Sequence, residues 1–356
     1  MPLTLFTDNS DLLGVFIMKK KIISAICVTL VSILLLAVVQ GLLMPKYIEN
    51  PAGRLVGEYY TEAGENDVLF LGDCEVYESF VPAVLWEKYG ISSYVRGSSQ
   101  QLIWQSYYLL EEMLKYETPS LVVFNVYAIK YGEPQNNAYN RMTLDRMKWS
   151  TSKIGAIRAS MTEDESFIEY VFPLLRFHSR ITELTADDVK YMLGTPSASD
   201  SGYLMQTAVR PMTTTRTGDD LFDYTLPDTA FEYLDKMREL CKANGVELLL
   251  VKAPTNHWKF WWYDEWDKQI VDYAEANGLD YINFIPLADE IGIDWSQDTY
   301  DEGMHLNVYG AEKLTDYFGK MLSEKYGIED RRYEAVLSDA WNERVSAYYE
   351  RKNLKE

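Results

Sequence analysis

The stretch Asp67-Val-Leu-Phe-Leu-Gly-Asp-Cys-Glu75 decides the fold. Residues 67–71 are typical of a short apolar β-strand that ends at Gly72, and a helical pattern follows at residues 82–89. Cys74 therefore lies just beyond the carboxyl end of the strand, at or near the start of a helix. Backbone N–H groups and the helix dipole favour a thiolate or a developing oxyanion at such a position.

The rest of the soluble part repeats the pattern of strand, turn and helix. Further strands are predicted at 91–95, 121–127, 246–251 and 280–284, with helices at 101–116, 232–244, 269–277 and 308–326. Most of the strands are almost continuously apolar and alternate with helices. We therefore expect a three-layer α/β/α domain with a mostly parallel five-stranded sheet, whose ligands bind beyond the carboxyl ends of the strands.

An apolar segment precedes this domain. Residues 22–44 form a run of about 23 residues without a charge, directly after Lys19, Lys20 and Lys21. At about 1.5 Å per residue the run spans a bilayer core, and the lysines predict a cytoplasmic N-terminus with the main domain outside, in a bacterial cell envelope. A cleaved signal peptide is the alternative, but its apolar region is usually only about 7–15 residues long. Met18 is a candidate start, which would make residues 1–17 an upstream extension.

The remaining segments give the expected domain organisation. Residues 45–66 are interpreted as a polar stalk, and 67–327 as the α/β domain. Residues 132–228 are rich in loop signals and do not follow the alternation of strands and helices. We expect them to form an insertion or cap over the site. Residues 328–356 are expected to form a charged helical tail with a solvated face.

Composition excludes several classes of function. The net charge is −20, so nucleic-acid binding is not expected. No metal-ligand spacing occurs among the three histidines and three cysteines, and no cofactor is expected. Cys27 lies in the apolar run and Cys241 on a predicted helix, as a small buried residue. A disulfide between Cys74 and Cys241 remains an alternative, although the spacing does not require it.

Far downstream, the stretch Tyr300-Asp-Glu-Gly-Met-His-Leu-Asn307 supplies an acid shortly before a histidine. A carboxylate can accept one imidazole N–H, which leaves the other nitrogen free to take a proton from a nucleophile. Cys74, His305 and Asp301, with Glu302 as the alternate acid, are therefore predicted to form a nucleophile–base–acid triad.

These blocks resemble the SGNH/GDSL hydrolase superfamily. Leu71-Gly-Asp-Cys74 matches its first block with Cys in place of Ser, and Val95-Arg-Gly-Ser-Ser99 matches its second. Phe124–Tyr127 occupies the place of the third block without matching it, and Asp301–His305 matches the last with one extra residue. The chain looks most like anchored cell-envelope members, such as teichoic-acid D-alanylation and alginate O-acetylation proteins. The resemblance implies a flavodoxin-like fold.

The resemblance also implies residue roles. Cys74 would attack an acyl carbonyl, His305 would take its proton, and the N–H groups of Cys74 and Gly97 would stabilise the oxyanion. Asn125 stands where the third-block Asn would contribute to the same hole. Positions expected near the active edge, as contacts for substrate, are Gln100, Gln101, Tyr127, His257 and Trp258.

Two functions from different classes follow. The first is an esterase or O-acyltransferase acting on an envelope polysaccharide, a teichoic-type polymer or a precursor, beside a membrane-bound acyl-donor protein. The second is an inactive hydrolase-fold protein that binds glycan or acts as a scaffold for a membrane acyltransferase. Cysteine at the nucleophile position and the weak third block favour the second, because a larger sulfur misaligns an oxyanion hole shaped for oxygen.

Overall fold

Five parallel strands form the single sheet of the computed structural model, which describes residues 9–194, 196–214 and 216–355, with side chains from Phe16 onward except that of Trp258. The strands are β1 (Val68–Gly72), β2 (Ser93–Gly97), β3 (Leu121–Asn125), β4 (Glu247–Lys252) and β5 (Asp280–Asn283). Their order is β2-β1-β3-β4-β5, and every neighbouring pair is parallel. This is the flavodoxin-like strand order, so the predicted fold class is confirmed.

The described residues contain sixteen α-helices. They are α1 (Asn9–Leu43), α2 (Leu55–Glu58), α3 (Cys74–Tyr77), α4 (Pro82–Tyr89), α5 (Ile103–Met113), α6 (Asn137–Leu144), α7 (Thr151–Ser160), α8 (Phe167–Val171), α9 (Leu174–Phe177), α10 (Ala186–Leu193), α11 (Asp228–Ala243), α12 (Trp258–Trp261), α13 (Asp264–Asn277), α14 (Ala288–Ile291), α15 (Val308–Glu324) and α16 (Ala335–Lys355). Short 3-10 turns lie at Pro51–Arg54, Tyr59–Thr61, Val126–Lys130 and His178–Thr182.

Both faces of the sheet are buried, as the continuous apolar strands predict. Phe70 of β1 stacks on Phe80 with ring centroids 4.7 Å apart, and Phe318 of α15 completes this cluster. Leu69 and Leu71 alternate with Phe70 along β1, so they point to the opposite face, and they too are fully buried. Helices α5 and α11 contact the strands as well.

The chain divides into two compact units. One unit holds the sheet and comprises residues 47–167 and 197–356. The other comprises residues 1–46 and 168–196. Within the described residues, Phe16–Leu43 is the one helical stretch long and apolar enough to cross a membrane, judged by its length and composition.

The prediction of a polar stalk at residues 45–66 is wrong for residues 51–61. Residues 51–61 form short helical turns in which Leu55, Val56 and Tyr59 are buried in the unit that holds the sheet. The hydroxyl of Tyr59 donates to Glu117 at 2.6 Å. Burial of these apolar side chains fixes the segment to the domain, because exposing them to water would cost free energy.

Residues 328–356 contain the predicted helix, α16, but one face of it is buried and not solvated. Trp341 of α16 stacks on Trp86 of α4 with centroids 5.5 Å apart, and Tyr348 is fully buried. Residues seven positions apart lie on the same helix face, so Trp341 and Tyr348 form one apolar stripe against the domain.

The expected cap is divided between the two units. Residues 132–167 and 197–228 belong to the unit with the sheet, whereas 168–196 belong with the N-terminal helix. Within that second unit, α9 and α10 pack against α1, and a cap over the site stays a prediction.

Candidate active site

The turn after β1 presents Cys74 at the carboxyl edge of the sheet. Gly72 has φ +154°, a backbone conformation that favours glycine, and a Cβ there would lie 2.4 Å from Val76. The Asp73 carboxylate accepts the Glu75 N–H at 3.2 Å, which caps α3. Cys74 is the first residue of that helix.

Gly97 lies directly opposite this turn. It ends β2 in register with Gly72, and a Cβ on Gly97 would lie 2.8 Å from the Gly72 carbonyl oxygen and 3.2 Å from that of Asp73. The structure therefore shows why a glycine stands here: it lets β2 approach the nucleophile turn. Its role as an oxyanion donor stays a prediction.

The histidine is carried by a tight loop before α15. Glu302 and Gly303 both have positive φ, 70° and 97°, and Thr299 accepts the Gly303 N–H at 2.8 Å. Asn307 then caps α15 through the Tyr309 N–H at 3.1 Å. The loop is thus held at both ends, which fixes the direction of the His305 ring.

Cys74, His305 and Asp301 meet in one hydrogen-bonded chain. The Cys74 sulfur lies 3.2 Å from His305 Nε2. His305 Nδ1 lies 2.6 Å from Asp301 Oδ2, and the other carboxylate oxygen accepts the His305 backbone N–H at 2.8 Å. With Nδ1–H donated to the acid, Nε2 is the nitrogen that exchanges a proton with the thiol. The arrangement is that of a nucleophile, a base and an orienting acid.

Acidic neighbours and burial set the protonation of this site. Burial, together with the Asp73 charge, raises the pKa of Cys74 to about 11. Burial opposes the imidazolium, but the Cys74 sulfur and the Asp301 carboxylate outweigh it, so the pKa of His305 lies well above its usual range. Burial alone would raise the pKa of Asp301, yet its hydrogen bond to His305 lowers it.

Behind the nucleophile, Glu75 is the centre of a buried polar network that the sequence did not reveal. Its carboxylate accepts from Lys252 Nζ at 2.8 and 2.9 Å, from Trp261 Nε1 at 2.6 Å and from Asn125 Nδ2 at 2.9 Å. Lys252 is fully buried, and Glu75 is 2 % exposed. The one available signal was a lysine that ends the otherwise apolar stretch of β4.

The oxyanion role predicted for Asn125 is not supported by this network. Its amide nitrogen donates to Glu75, and its amide oxygen accepts the Ala253 N–H at 3.0 Å. Asn125 therefore positions Glu75 and the chain after β4. The pairing of β3 with β4 directs its side chain to these partners.

A cleft of about 550 Å³ opens over Cys74 and His305. Its aromatic wall is formed by Tyr77, Tyr127, Tyr131, Tyr139, Phe260, Trp261 and Tyr300, and its polar lining by Asn50, Asp73, Glu78, Ser99, Gln100 and Lys130. Tyr127 and Trp261 stack at 4.9 Å, and the Lys130 ammonium lies 3.5 Å from the Tyr127 ring centroid. Burial lowers the pKa of Lys130 to about 8. Gln100 and Tyr127 thus lie where substrate contacts were predicted.

Two of the other predicted substrate contacts, Gln101 and His257, lie elsewhere. Gln101 is buried, donating to Ser106 at 2.9 Å and accepting from Ser98 at 3.1 Å, so its amide belongs to an internal network. His257 is also buried, which corrects its expected role in the cleft. The Trp258 side chain lies outside the described residues.

His257 holds the histidine loop in place instead. Its Nε2 lies 2.7 Å from the Glu302 carbonyl oxygen, and its Nδ1 accepts the Arg216 N–H at 3.1 Å. Glu302 is not the orienting acid, because its carboxylate pairs with Arg210 at 2.9 Å and with Arg216 at 3.8 Å. Asp301 alone of the two predicted acids contacts the His305 ring.

Glu78 and Tyr300 form a second contact to the site that the sequence did not reveal. The Tyr300 hydroxyl donates to Glu78 at 2.9 Å, and its ring lies nearly parallel to His305 with centroids 6.1 Å apart. Burial raises the pKa of Glu78 to about 7, and burial together with the Glu75 charge raises that of Asp73 to about 7. Tyr300 stands next to Asp301 in the sequence, which was the only available signal.

Comparisons with known proteins return distant structural matches only. No protein-family model and no curated protein matches the chain. A candidate acylhydrolase from Bacteroides fragilis aligns over 76 % of this chain and 94 % of its own, at 13 % identity and a TM-score of 0.37. A GDSL-like lipase from Bacteroides thetaiotaomicron aligns over 77 % and 99 %, at 15 % identity and a TM-score of 0.35. The flavodoxin-like strand order of this chain, with Cys74 and His305 meeting at the carboxyl edge of the sheet, is the arrangement that an SGNH/GDSL resemblance implies.

Proposed function

We propose that this protein is an acyl-transfer enzyme of the SGNH type in which Cys74 is the nucleophile. The observation that carries the proposal is the chain from the Cys74 sulfur to His305 Nε2 at 3.2 Å and from His305 Nδ1 to Asp301 at 2.6 Å. A nucleophile, a base and an orienting acid in this geometry support ester or thioester chemistry.

The reaction would proceed through a thioester. His305 Nε2 takes the Cys74 proton while sulfur bonds to the acyl carbonyl carbon, and the imidazolium is stabilised by Asp301. When the tetrahedral intermediate collapses, the carbon–oxygen bond to the leaving group breaks and the leaving oxygen takes the proton from His305. Water or an acceptor hydroxyl then gives its proton to His305 and attacks the thioester carbon. The carbon–sulfur bond breaks, and the Cys74 sulfur takes the proton back from His305.

Two features support a substrate in the cell envelope. The cleft is walled by aromatic rings, whose apolar faces and polar tips suit sugars and acyl chains. The helix Phe16–Leu43 has the length and composition of a membrane anchor. We therefore propose an O-acyl group on an envelope polymer or its precursor as substrate, with the main domain outside the cytoplasm beside a membrane-bound acyl donor.

The test is acyl capture by the full-length protein in detergent. The protein is incubated with p-nitrophenyl acetate while nitrophenol release and intact protein mass are recorded. We expect an increase by one acetyl group that hydroxylamine reverses, absent in Cys74→Ala and retained in Cys241→Ala, since Cys241 is a buried free thiol of α11. Acetylation that persists in Cys74→Ala would refute the nucleophile role.

A non-catalytic scaffold is the second candidate, favoured by one observation. Burial and the nearby Asp73 carboxylate raise the pKa of the Cys74 thiol to about 11, which disfavours the thiolate. If the wild type shows no acetylation and Cys74 reacts with iodoacetamide no faster than a free thiol, the cleft would be a binding site for glycan or for a membrane partner.

A further inference from the structure

Three helical turns pack around the end of the N-terminal helix. Arg180 Nη1 donates to the Leu43 carbonyl oxygen at 2.7 Å. Gly41 lies against Met192 of α10, since a Cβ on Gly41 would be 3.2 Å from its sulfur. Leu43 is only 1 % exposed, whereas the side chains in the middle of α1 are exposed. Residues 168–193, hereafter the collar, therefore surround the carboxyl end of the apolar run.

The collar exposes six large hydrophobic side chains beside polar and charged ones such as Glu183, Asp187 and Lys190. Large hydrophobic side chains exposed on it are Ile168, Phe172, Leu175, Ile181, Val189 and Leu193. Ile181 is 66 % exposed and Leu193 is 80 % exposed. Val189 and Leu193 are four residues apart, so they share one face of α10. A cluster of this kind around one short segment marks an interaction surface.

The charges of the collar identify the chemistry of its partner. Arg180 pairs with Asp188 at 2.9 Å, and Arg176 with Glu169 at 3.7 Å. Both arginines are therefore paired, and exposed Lys190 is the one other lysine or arginine among residues 168–193, so the collar has no cluster of unpaired basic groups for anionic head groups or acidic proteins. The apolar side chains of the collar are therefore what would bind a partner. They lie at the carboxyl end of α1, where the uncharged run stops.

We propose that the collar is a bilayer-embedded element, with its exposed apolar side chains inserted among the lipids of the leaflet that α1 leaves. The inference rests on α1 spanning the membrane. Amphipathic segments bind at this depth by burying apolar side chains near the boundary of head groups and acyl chains. Continuity with α1 favours lipid over a second protein, because the bilayer already surrounds the helix against which the collar packs.

The test places a fluorophore at single cysteines in the full-length protein, reconstituted in phosphatidylcholine vesicles. Each labelled variant carries one cysteine. Ile181→Cys and Leu193→Cys are made with all three native cysteines replaced, and the Cys27 sample has only Cys74 and Cys241 replaced. Val336→Cys is the matched control, since Val336 is an equally exposed apolar residue of α16 at 85 %. Native Cys27 reports whether α1 is inserted. Quenching by lipids with a head-group nitroxide is compared with quenching by a water-soluble nickel chelate.

We expect labels at 181 and 193 to be quenched by the nitroxide lipid severalfold more than the label at 336, at low and at high salt alike. If Cys27 is quenched by lipid while 181 and 193 respond only to the nickel chelate, the proposal is overturned and a protein partner must cover the collar. If Cys27 itself is not quenched by lipid, the anchor is absent and the proposal falls with it.

Discussion

Replacing Lys252 with methionine tests the buried network behind the nucleophile. Lys252 Nζ lies 2.8 and 2.9 Å from the two Glu75 oxygens, with side-chain exposures of 0 % and 2 %. Methionine is of similar length but leaves the Glu75 carboxylate without its cation. Removing one partner of a buried pair typically costs about 3–5 kcal/mol.

The lower end of that range is expected here. Asn125 and Trp261 still donate to Glu75 in the variant, at 2.9 and 2.6 Å, and partly compensate the carboxylate. We therefore expect the free energy of unfolding to fall by about 3 kcal/mol. The double variant Glu75→Gln/Lys252→Met should regain part of this loss, because it leaves no unpaired buried charge.

The assay is urea unfolding of the full-length protein in detergent, followed by near-ultraviolet circular dichroism. Lys268→Met is the matched control, because Lys268 pairs with Asp272 at 2.7 Å but the two side chains are 71 % and 58 % exposed. That variant should lose only about 0.5 kcal/mol. If Lys252→Met lowers the free energy of unfolding by less than about 1 kcal/mol, close to the effect of the control, the Lys252–Glu75 pair does not stabilise the buried network as argued.

Three further predictions concern the site itself. Asp301→Asn should lower kcat by about 10⁴-fold, because the amide favours the wrong tautomer of His305; a loss under tenfold in steady-state kinetics would contradict this. The Glu78 charge helps raise the pKa of His305, so Glu78→Gln should lower that pKa and make the neutral base available at lower pH. We expect the rise of kcat/KM with pH to move down by up to about one pH unit. A pH profile that is unchanged or moved upward would contradict this. Gly97→Ala should cost about 1–3 kcal/mol in urea unfolding, because the new Cβ would lie 2.8 Å from the Gly72 carbonyl oxygen, and an unaltered midpoint would show that the turn can shift freely.

The sequence predicts part of the site because the strands of a parallel sheet all end at the same edge. Apolar runs that stop at Gly72 and Gly97 mark strand ends, and strand ends of a parallel sheet share one edge. That rule places Cys74 near the late Asp301–His305 block without any knowledge of contacts. The block also fixes the local geometry, since the acid and the base lie within one tight loop.

Side-chain directions are what the sequence does not predict. Asn125 could face the cleft or the sheet, and its choice depends on Glu75 and Lys252, which are 177 residues apart in the chain. His257 likewise becomes a structural contact only because the Glu302 carbonyl lies 2.7 Å away.

The burial of two terminal segments is hard to predict for a related reason. The 45–66 and 328–356 segments mix apolar with charged residues, and the pattern alone does not show that Tyr59 and Trp341 are buried. Only the complete domain supplies the surfaces on which they pack. An amphipathic pattern predicts a buried face without saying what covers it.

The pairing of β3 with β4 has a consequence for folding. Strands β1, β2 and β3 lie within residues 68–125, but β4 begins only at Glu247, after residues 126–246 have included the collar. Loop-closure entropy delays such a distant pairing relative to the local ones. Until β4 docks, the Leu121–Asn125 edge of β3 is an unpaired apolar strand and a template for association between chains. Conditions that slow folding should therefore produce aggregates through β3.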